Sequence, residues 1–355
     1  MMTYLKQLYK TSYPFRFLLF GIVLSFLPLL SDLDIIEFSA LTTWAQIIIF
    51  AVVALGLNLL LGFSGLISLS TAGFMGFGAY TITFLSNRFD LPFMLAILIT
   101  LAIAAAIGVF IGLLSLRVEG IYLAIATLFV GEILQQIYKQ VDWFSGGFSG
   151  VRFHYPQFNL IFTTIELTRN QTFIFLVACL VLVMTVIYNI INSRTGRALM
   201  AMSRSEHAAQ AMGINILKYR LVAFVTSTVI ASFSGILYAS FMRGVEPTTW
   251  NLNLSLFIIA MVVVGGYKSI FGMFLGAFVI HGIPTFWLNE MFASIPGFAY
   301  IFSGVLIIVI IMFYSVGLIH IHHDIKKLYL KIKPYVIKAY KKLFTKKQEK
   351  GDKNA

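Results

Sequence analysis

Apolar runs of membrane-crossing length recur along the chain at residues 17–30, 43–61, 66–86, 91–115, 120–138, 172–191, 219–240, 255–286 and 299–319. About 20 consecutive apolar residues cross a bilayer as a helix. The pattern therefore predicts an all-α fold, a polytopic transmembrane helix bundle. The 255–286 run is too long for one ordinary span. Lys6, Lys10 and Arg16 precede the first run as they would in a signal peptide. Ser31-Asp-Leu-Asp34 is a poor cleavage site, so the run reads as an uncleaved first helix.

One apolar stretch departs from this regularity. Residues 56–80 carry Gly56, Gly62, Gly65, Gly73, Gly76 and Gly78 among Ser64, Ser68, Ser70 and Thr71. Glycine weakens a helix by about 1 kcal/mol, and at Gly73, Gly76 and Gly78 the missing side chain lets another helix approach. Irregular backbone at membrane depth survives only where protein buries it or a cavity receives it. The stretch thus predicts either a discontinuous helix at a midplane site or a small-residue packing helix.

Charge orients the helices, since Lys and Arg gather on the cytoplasmic side of short loops. The N-terminal cluster, the 192–220 loop with Arg194, Arg197, Arg204, Lys218 and Arg220, and the C-terminal tail should all be inside. One crossing per run leaves the tail outside. If the 255–286 run crosses twice, turning at Gly265-Gly266-Tyr-Lys268-Ser269, parity is restored and the expected count is about ten, with Gly-broken or re-entrant helices. Trp44, Trp143, Trp250 and Trp287 then fall at outer helix ends. The loop from about Lys139 to Asn170 is long enough to predict partner docking.

Composition agrees with the membrane reading, at 59% hydrophobic and 11% charged residues. The net charge of +12 sits mostly in the tail, 320–355, which has eleven lysines against three acidic residues. Apolar residues at helical spacing there predict an element lying on membrane lipids, not a nucleic-acid arm. The division expected is a permease domain over 1–319 and a basic cytoplasmic tail over 320–355. Cys179 stands alone, which excludes an intramolecular disulfide or a cysteine zinc site.

No catalytic constellation and no phosphate-binding G-x-x-x-x-G-K-[ST] loop is present. Glu132, followed by Gln135 and Gln136, reads as a proton relay, or, placed toward the outer end of its helix, as part of a water-filled path or a packing contact. His281 reads as hydrogen-bonded packing, and His320, His322, His323 and Asp324 as interfacial polarity before a metal site. No metal is expected. In the cytoplasmic loop, Ser203-Arg-Ser-Glu206 has the form of a capping box and Gly213 of a helix stop. A helix of about nine residues is predicted, with Ala208, Ala211 and Met212 on one stripe. Such a helix either docks into a partner or links spans along the membrane surface.

These stretches carry a family resemblance. Ala54 to Tyr80, Thr195 to Asn215, Ser145-Gly-Gly-Phe-Ser-Gly150 and Val264 to Gly272 resemble the branched-chain amino acid ABC transporter permeases of the LivM/LivH family, the LivM branch most closely. Ser70, Thr71 and Ser203 depart from its pattern. The resemblance implies a subunit of an importer in the bacterial inner membrane, multi-pass, with both termini cytoplasmic. Its partners would be two cytoplasmic ABC ATPases, a second permease of LivH type and an extracytoplasmic solute-binding protein. It implies no enzyme activity and no cofactor in this chain, ATP being used by the ATPases. The 194–218 segment would be the coupling element, through Arg197, Ser203, Glu206, Ala208, Ala209, Met212 and Gly213. The solute path is expected along Asn58, Gly62, Ser64, Gly65, Ser68, Ser70, Thr71 and Gly73. The cargo implied is Leu, Ile or Val, with urea or another small polar solute, or a stand-alone secondary transporter using Glu132, as alternatives.

Overall fold

A computed structural model describes residues 13–32, 37–115, 120–153, 156–160, 163–288, 301–302, 304–305, 308–309, 312 and 317–318. The tail, with His320, His322 and His323, lies outside the described residues. Helices α1 (Tyr13–Ser25) and α2 (Leu27–Asp32) are followed by α3 (Phe38–Asn58), α4 (Thr71–Phe89), α5 (Phe93–Ser115) and α6 (Ile121–Gln140). Then come α7 (Arg169–Asn192), α8 (Arg194–Arg204), α9 (Glu206–Ala211) and α10 (Ile216–Met242). Last are α11 (Leu252–Gly265) and α12 (Ile270–Ala277), the latter continuing in π-turns over Phe278–Gly282 and Pro284–Leu288. The fold is an all-α polytopic bundle.

The bundle forms around α3 and α10, the two most deeply buried of the spanning-length helices. Ile47, Ile48, Ile49, Val52 and Val53 of α3 are fully buried. Helix α10 packs on α3, α4 and α5, and small residues set how closely. A Cβ at Gly78 would lie 1.8 Å from the Ser232 carbonyl oxygen, and one at Gly235 1.8 Å from that of Met75. The backbones of α4 and α10 touch there, and Ser232 Oγ donates to the Phe74 carbonyl at 3.1 Å. The small-residue expectation for α4 holds at Gly78.

Six described helices are long and apolar enough to cross a membrane, fewer than the ten crossings that parity required. The expected 299–319 crossing lies largely outside the described residues, and two further elements are shorter or less apolar than a full span. Helix α4 has 19 residues but dilutes its apolar content with glycine, threonine and serine. Helix α11 has 14 residues, about 21 Å at 1.5 Å each, short of the roughly 30 Å hydrocarbon core. The turn at Gly265–Ser269 is where the sequence placed it: α11 and α12 fold back on each other, with Gly265 and Gly272 in backbone contact.

The segment after α6 is ordered by pairing. Strand β1 (Val151–Arg152) pairs antiparallel with β4 (Gly244–Val245), and β2 (Gln157–Leu160) with β3 (Thr163–Glu166). Helix α7 then starts with a capping box in which Thr168 and Gln171 satisfy each other's backbone N–H. The Thr-x-x-Gln spacing is itself a capping-box signal in the sequence.

Candidate transport path and coupling surface

Helix α3 does not stop at Asn58. It runs without a cap into a π-turn, Leu59–Phe63, a wider turn often found at functional sites. Residues 65–70 then leave helical geometry before α4 begins at Thr71. Gly65 makes the exit with φ +74°, a conformation open to glycine and costly for other residues. The broken helix expected in this stretch is therefore present.

The placement of its polar groups differs from the expected row of solute-facing side chains. Asn58 is fully buried; its Nδ2 donates to the Ser269 carbonyl and its Oδ1 accepts from Lys268 N, both at 3.1 Å. Gly62 leaves room for that amide, since a Cβ there would meet Asn58 Oδ1 at 2.3 Å. Ser64 Oγ donates back to the Leu60 carbonyl, and the Ser68 and Ser70 hydroxyls bond each other at 3.0 Å. Ser64, Ser68, Ser70 and Thr71 are all buried. Backbone donors freed by the break find side chains: Leu69 N reaches Thr127 Oγ1 and Ala72 N reaches Ser255 Oγ, each at 3.0 Å. Of the eight residues expected on the path, Gly73 borders a crevice too narrow for a water molecule.

That crevice is formed by Leu69 and Gly73 of the 69–73 stretch, Gly131 and Glu132 of α6, and Trp250, Asn251 and Ser255. Glu132 is the twelfth residue of a 20-residue helix, about 16 Å from its start. The carboxylate stands near the middle of the helix. No hydrogen bond or ion pair holds it among the described residues. A charged acid facing lipid there would cost roughly 2.5–3.5 kcal/mol on insertion scales. On the other side of α11, a cavity of about 780 Å³ is lined by Thr249, Asn251, Asn253, Leu256, Phe257 and Gly304, within the roughly 300–1,000 Å³ of small-molecule sites. Asn251 borders both spaces and caps α11 through Leu254 N at 3.0 Å.

Trp250 is 1% exposed, so it belongs to the core beside Gly76 and Tyr138 and not to an outer aromatic belt. His281 packs as expected, its Nε2 2.8 Å from Gln46 Oε1 and its ring against Phe50. Cys179 is buried and free. No group of metal-ligating side chains occurs among the described residues.

In the coupling segment, Ser205 and not Ser203 is the N-cap: its Oγ accepts from Ala208 N at 3.3 Å. Ser203 lies in the last turn of α8, its Oγ donating to the Met200 carbonyl at 3.1 Å. The sequence offered two serines two residues apart, and α8 extends far enough to take the first. The expected nine-residue helix is accordingly a six-residue α9. Gly213 stops it with φ +79°. Glu206 does not point away from the chain; it forms an ion pair and hydrogen bond with Arg220 Nη2 of α10. Ala209 is buried, while Ala208, Ala211 and Met212 are exposed, Met212 by 83%. Arg197 Nη1 donates to the Asn192 carbonyl at 3.2 Å. Helix α8 abuts the π-turn, and a Cβ at Gly65 would lie 3.8 Å from Ser203 Cβ. The broken helix and the coupling segment are neighbours.

The family profile described as "Branched-chain amino acid transport system / permease component" matches residues 39–311. The chain is 32% identical over 254 residues to the high-affinity branched-chain amino acid transport system permease protein LivM of Escherichia coli K12, covering 65% of this chain and 60% of that protein. It is 28% identical over 204 residues to a probable branched-chain amino acid transport permease protein LivH of Methanocaldococcus jannaschii, covering 57% of each. It is 26% identical over 227 residues to the autoinducer 2 import system permease protein LsrC of Enterobacter sp. 638, covering 59% of this chain and 62% of the relative. The chain thus spans about three fifths of the length of these relatives. No solved structure matches.

Proposed function

The chain belongs to the branched-chain amino acid transport permease family, and on that premise we propose that it is the membrane-spanning subunit of an ABC importer. In this reading it passes leucine, isoleucine or valine from an extracytoplasmic binding protein to the cytoplasm across the bacterial inner membrane. A second permease of LivH type completes the path, and two cytoplasmic ATPases consume the ATP. This chain neither hydrolyses nucleotide nor carries a cofactor.

The observation that carries the reading is the exposed face of Ala208, Ala211 and Met212 on α9. A six-residue helix is unstable alone, so caps at both ends and the Glu206–Arg220 pair hold it in place. Its apolar stripe then serves a partner surface. Displacement of that surface by the ATPases would reach α10 through Arg220. It would reach the 64–70 linker through the contact of α8 with Gly65. From the linker, the Leu69–Thr127 hydrogen bond leads to α6 and its crevice.

The test is uptake of labelled leucine by cells expressing the chain with its cognate ATPases, second permease and binding protein. Met212→Asp with Ala208→Asp should lower uptake at least tenfold without reducing the amount of chain in the membrane, since both side chains are exposed. Normal uptake by that variant refutes the docking role. The similarity to LsrC makes another small polar solute the rival cargo. Uptake of urea or a sugar in place of leucine, isoleucine and valine would select it.

A further inference from the structure

The outward faces of the long helices differ in kind. Helix α5 presents Met94, Leu95, Leu98, Val109, Phe110 and Leu113, and α1 presents Leu18, Leu19, Ile22 and Val23. These surfaces are apolar, as a lipid boundary requires. Helix α6 also exposes Ile121, Tyr122, Ile133 and Ile137, but polar groups interrupt its face. Along one stripe it carries Ile125, Phe129, half-buried Glu132 and exposed Gln136, which the helical repeat places above one another. Beside it, α11 exposes Asn253 next to the cavity of about 780 Å³. Glu132 is the acid inside a long apolar helix among the described residues. It has no partner among them to neutralise it.

We propose that the α6–α11 face lines the aqueous solute path, and that the Glu132 carboxylate is the group in it that receives the cargo's ammonium. This rests on the importer reading above and moves the path away from the buried hydroxyls of residues 64–71. A carboxylate inside an apolar helix needs water or a cation opposite it; the crevice that Glu132 borders with Gly73, Gly131 and Asn251 is too narrow for a water molecule in this structure, so passage of the cargo requires α4 and α6 to part there. Gly73 and Gly131 are packed against each other at that point, a Cβ on Gly73 falling 3.1 Å from Gly131 Cα, so no side chain would obstruct the gap if the two helices separate. The amides of Asn251 and Asn253 and the Thr249 hydroxyl border the cavity beyond, where hydrogen-bonding groups suit the other polar end of an amino acid. An anion fixed in a low-dielectric cleft concentrates cations and repels anions. The path therefore selects a solute that bears an ammonium over a neutral polyol or a free carboxylic acid.

The experiment uses the full assembly and single cysteines introduced on a Cys179→Ala background. Gln136→Cys and Asn253→Cys should react with a membrane-impermeant cationic methanethiosulfonate, whereas Leu98→Cys and Phe110→Cys, which face lipid, should not. At Asn253→Cys the cationic reagent should react faster than its anionic counterpart, and adding Glu132→Gln should reduce that ratio at least threefold. Leucine uptake should fall at least tenfold in Glu132→Gln and be largely kept in Glu132→Asp. Reaction at Gln136→Cys and Asn253→Cys no faster than at the lipid-facing controls overturns the path. An unchanged charge ratio, or full uptake by Glu132→Gln, overturns the role of Glu132. Should Glu132→Gln fail to assemble, the labelling of Gln136→Cys and Asn253→Cys with Glu132 intact still decides the path, and the ratio in Glu132→Asp against Glu132→Ala decides the charge. A wild-type assembly that imports a polyol and no amino acid refutes the cargo in the functional reading and the ammonium role together, while labelling continues to report on the path alone.

Discussion

The amide of Asn58 bridges the backbone of a turn 210 residues away, accepting from Lys268 N while donating to the Ser269 carbonyl. Lys268 adopts φ +66°, an uncommon conformation for a residue with a side chain, and the two hydrogen bonds hold it there. Gly62 is needed in the next turn because any Cβ would displace the amide. This clasp joins the π-turn after α3 to the hairpin between α11 and α12. Removing a partner and leaving a buried donor unpaired costs roughly 1–3 kcal/mol. Asn58→Leu should therefore lower the thermal midpoint of the purified chain in detergent, and Gly62→Ala should do the same. Unchanged melting in both would show that the clasp bears no load. The sequence marked both residues as unusual among leucines. It could not separate a path-lining amide from a tertiary clasp, because the distinction lies in a partner more than 200 residues away.

Local chemistry set most element boundaries, and the misreadings arose where two local signals competed. Gly213 ended α9 as read, and the turn at Gly265–Ser269 divided the long apolar run as read. Glu206 follows Ser203 at capping-box spacing, yet Ser205 is the N-cap once α8 runs on to Arg204. That shift turns Glu206 toward Arg220, whose side chain is 8% exposed against 42% for the glutamate. The half-exposed carboxylate is thus more a strut between α9 and α10 than a handle for a partner. Glu206→Arg should impair leucine uptake by setting two cations against each other, and adding Arg220→Glu should restore a substantial part of it. A double variant no better than Glu206→Arg would mean that Glu206 acts on another chain, as the sequence reading had it. The shortness of α11 and the burial of Trp250 were not legible, since hydropathy measures apolar character and carries no information on which helix packs against which.

At the scale of the molecule, charge and architecture agree on an axis. Arg16, Arg194, Arg197, Arg204, Lys218 and Lys268 belong to one end of the bundle: a single cavity there is lined by Tyr13, Tyr188, Asn192, Tyr267 and Lys268, and α8 and α9 follow directly from α7. The opposite end holds Asp142 and Trp143 after α6 and Glu246 after α10, with fewer basic residues, Arg88, Lys139, Arg152, Arg169 and Arg243. If positive residues mark the cytoplasmic side, the hairpin between α11 and α12 turns inside, and the strand pairs after α6 lie outside with any binding protein. The two ends give opposite expectations in one assay. Lys268→Cys, on an exposed turn residue, should be protected from an impermeant thiol reagent in intact cells and become reactive once the membrane is permeabilised. Phe148→Cys, at a position 76% exposed, should react in intact cells. Reaction of Lys268→Cys from outside, with protection of Phe148→Cys, would invert the axis and place α9 where no cytoplasmic ATPase could reach it. The orientation and the coupling role therefore stand or fall on the same pair of measurements.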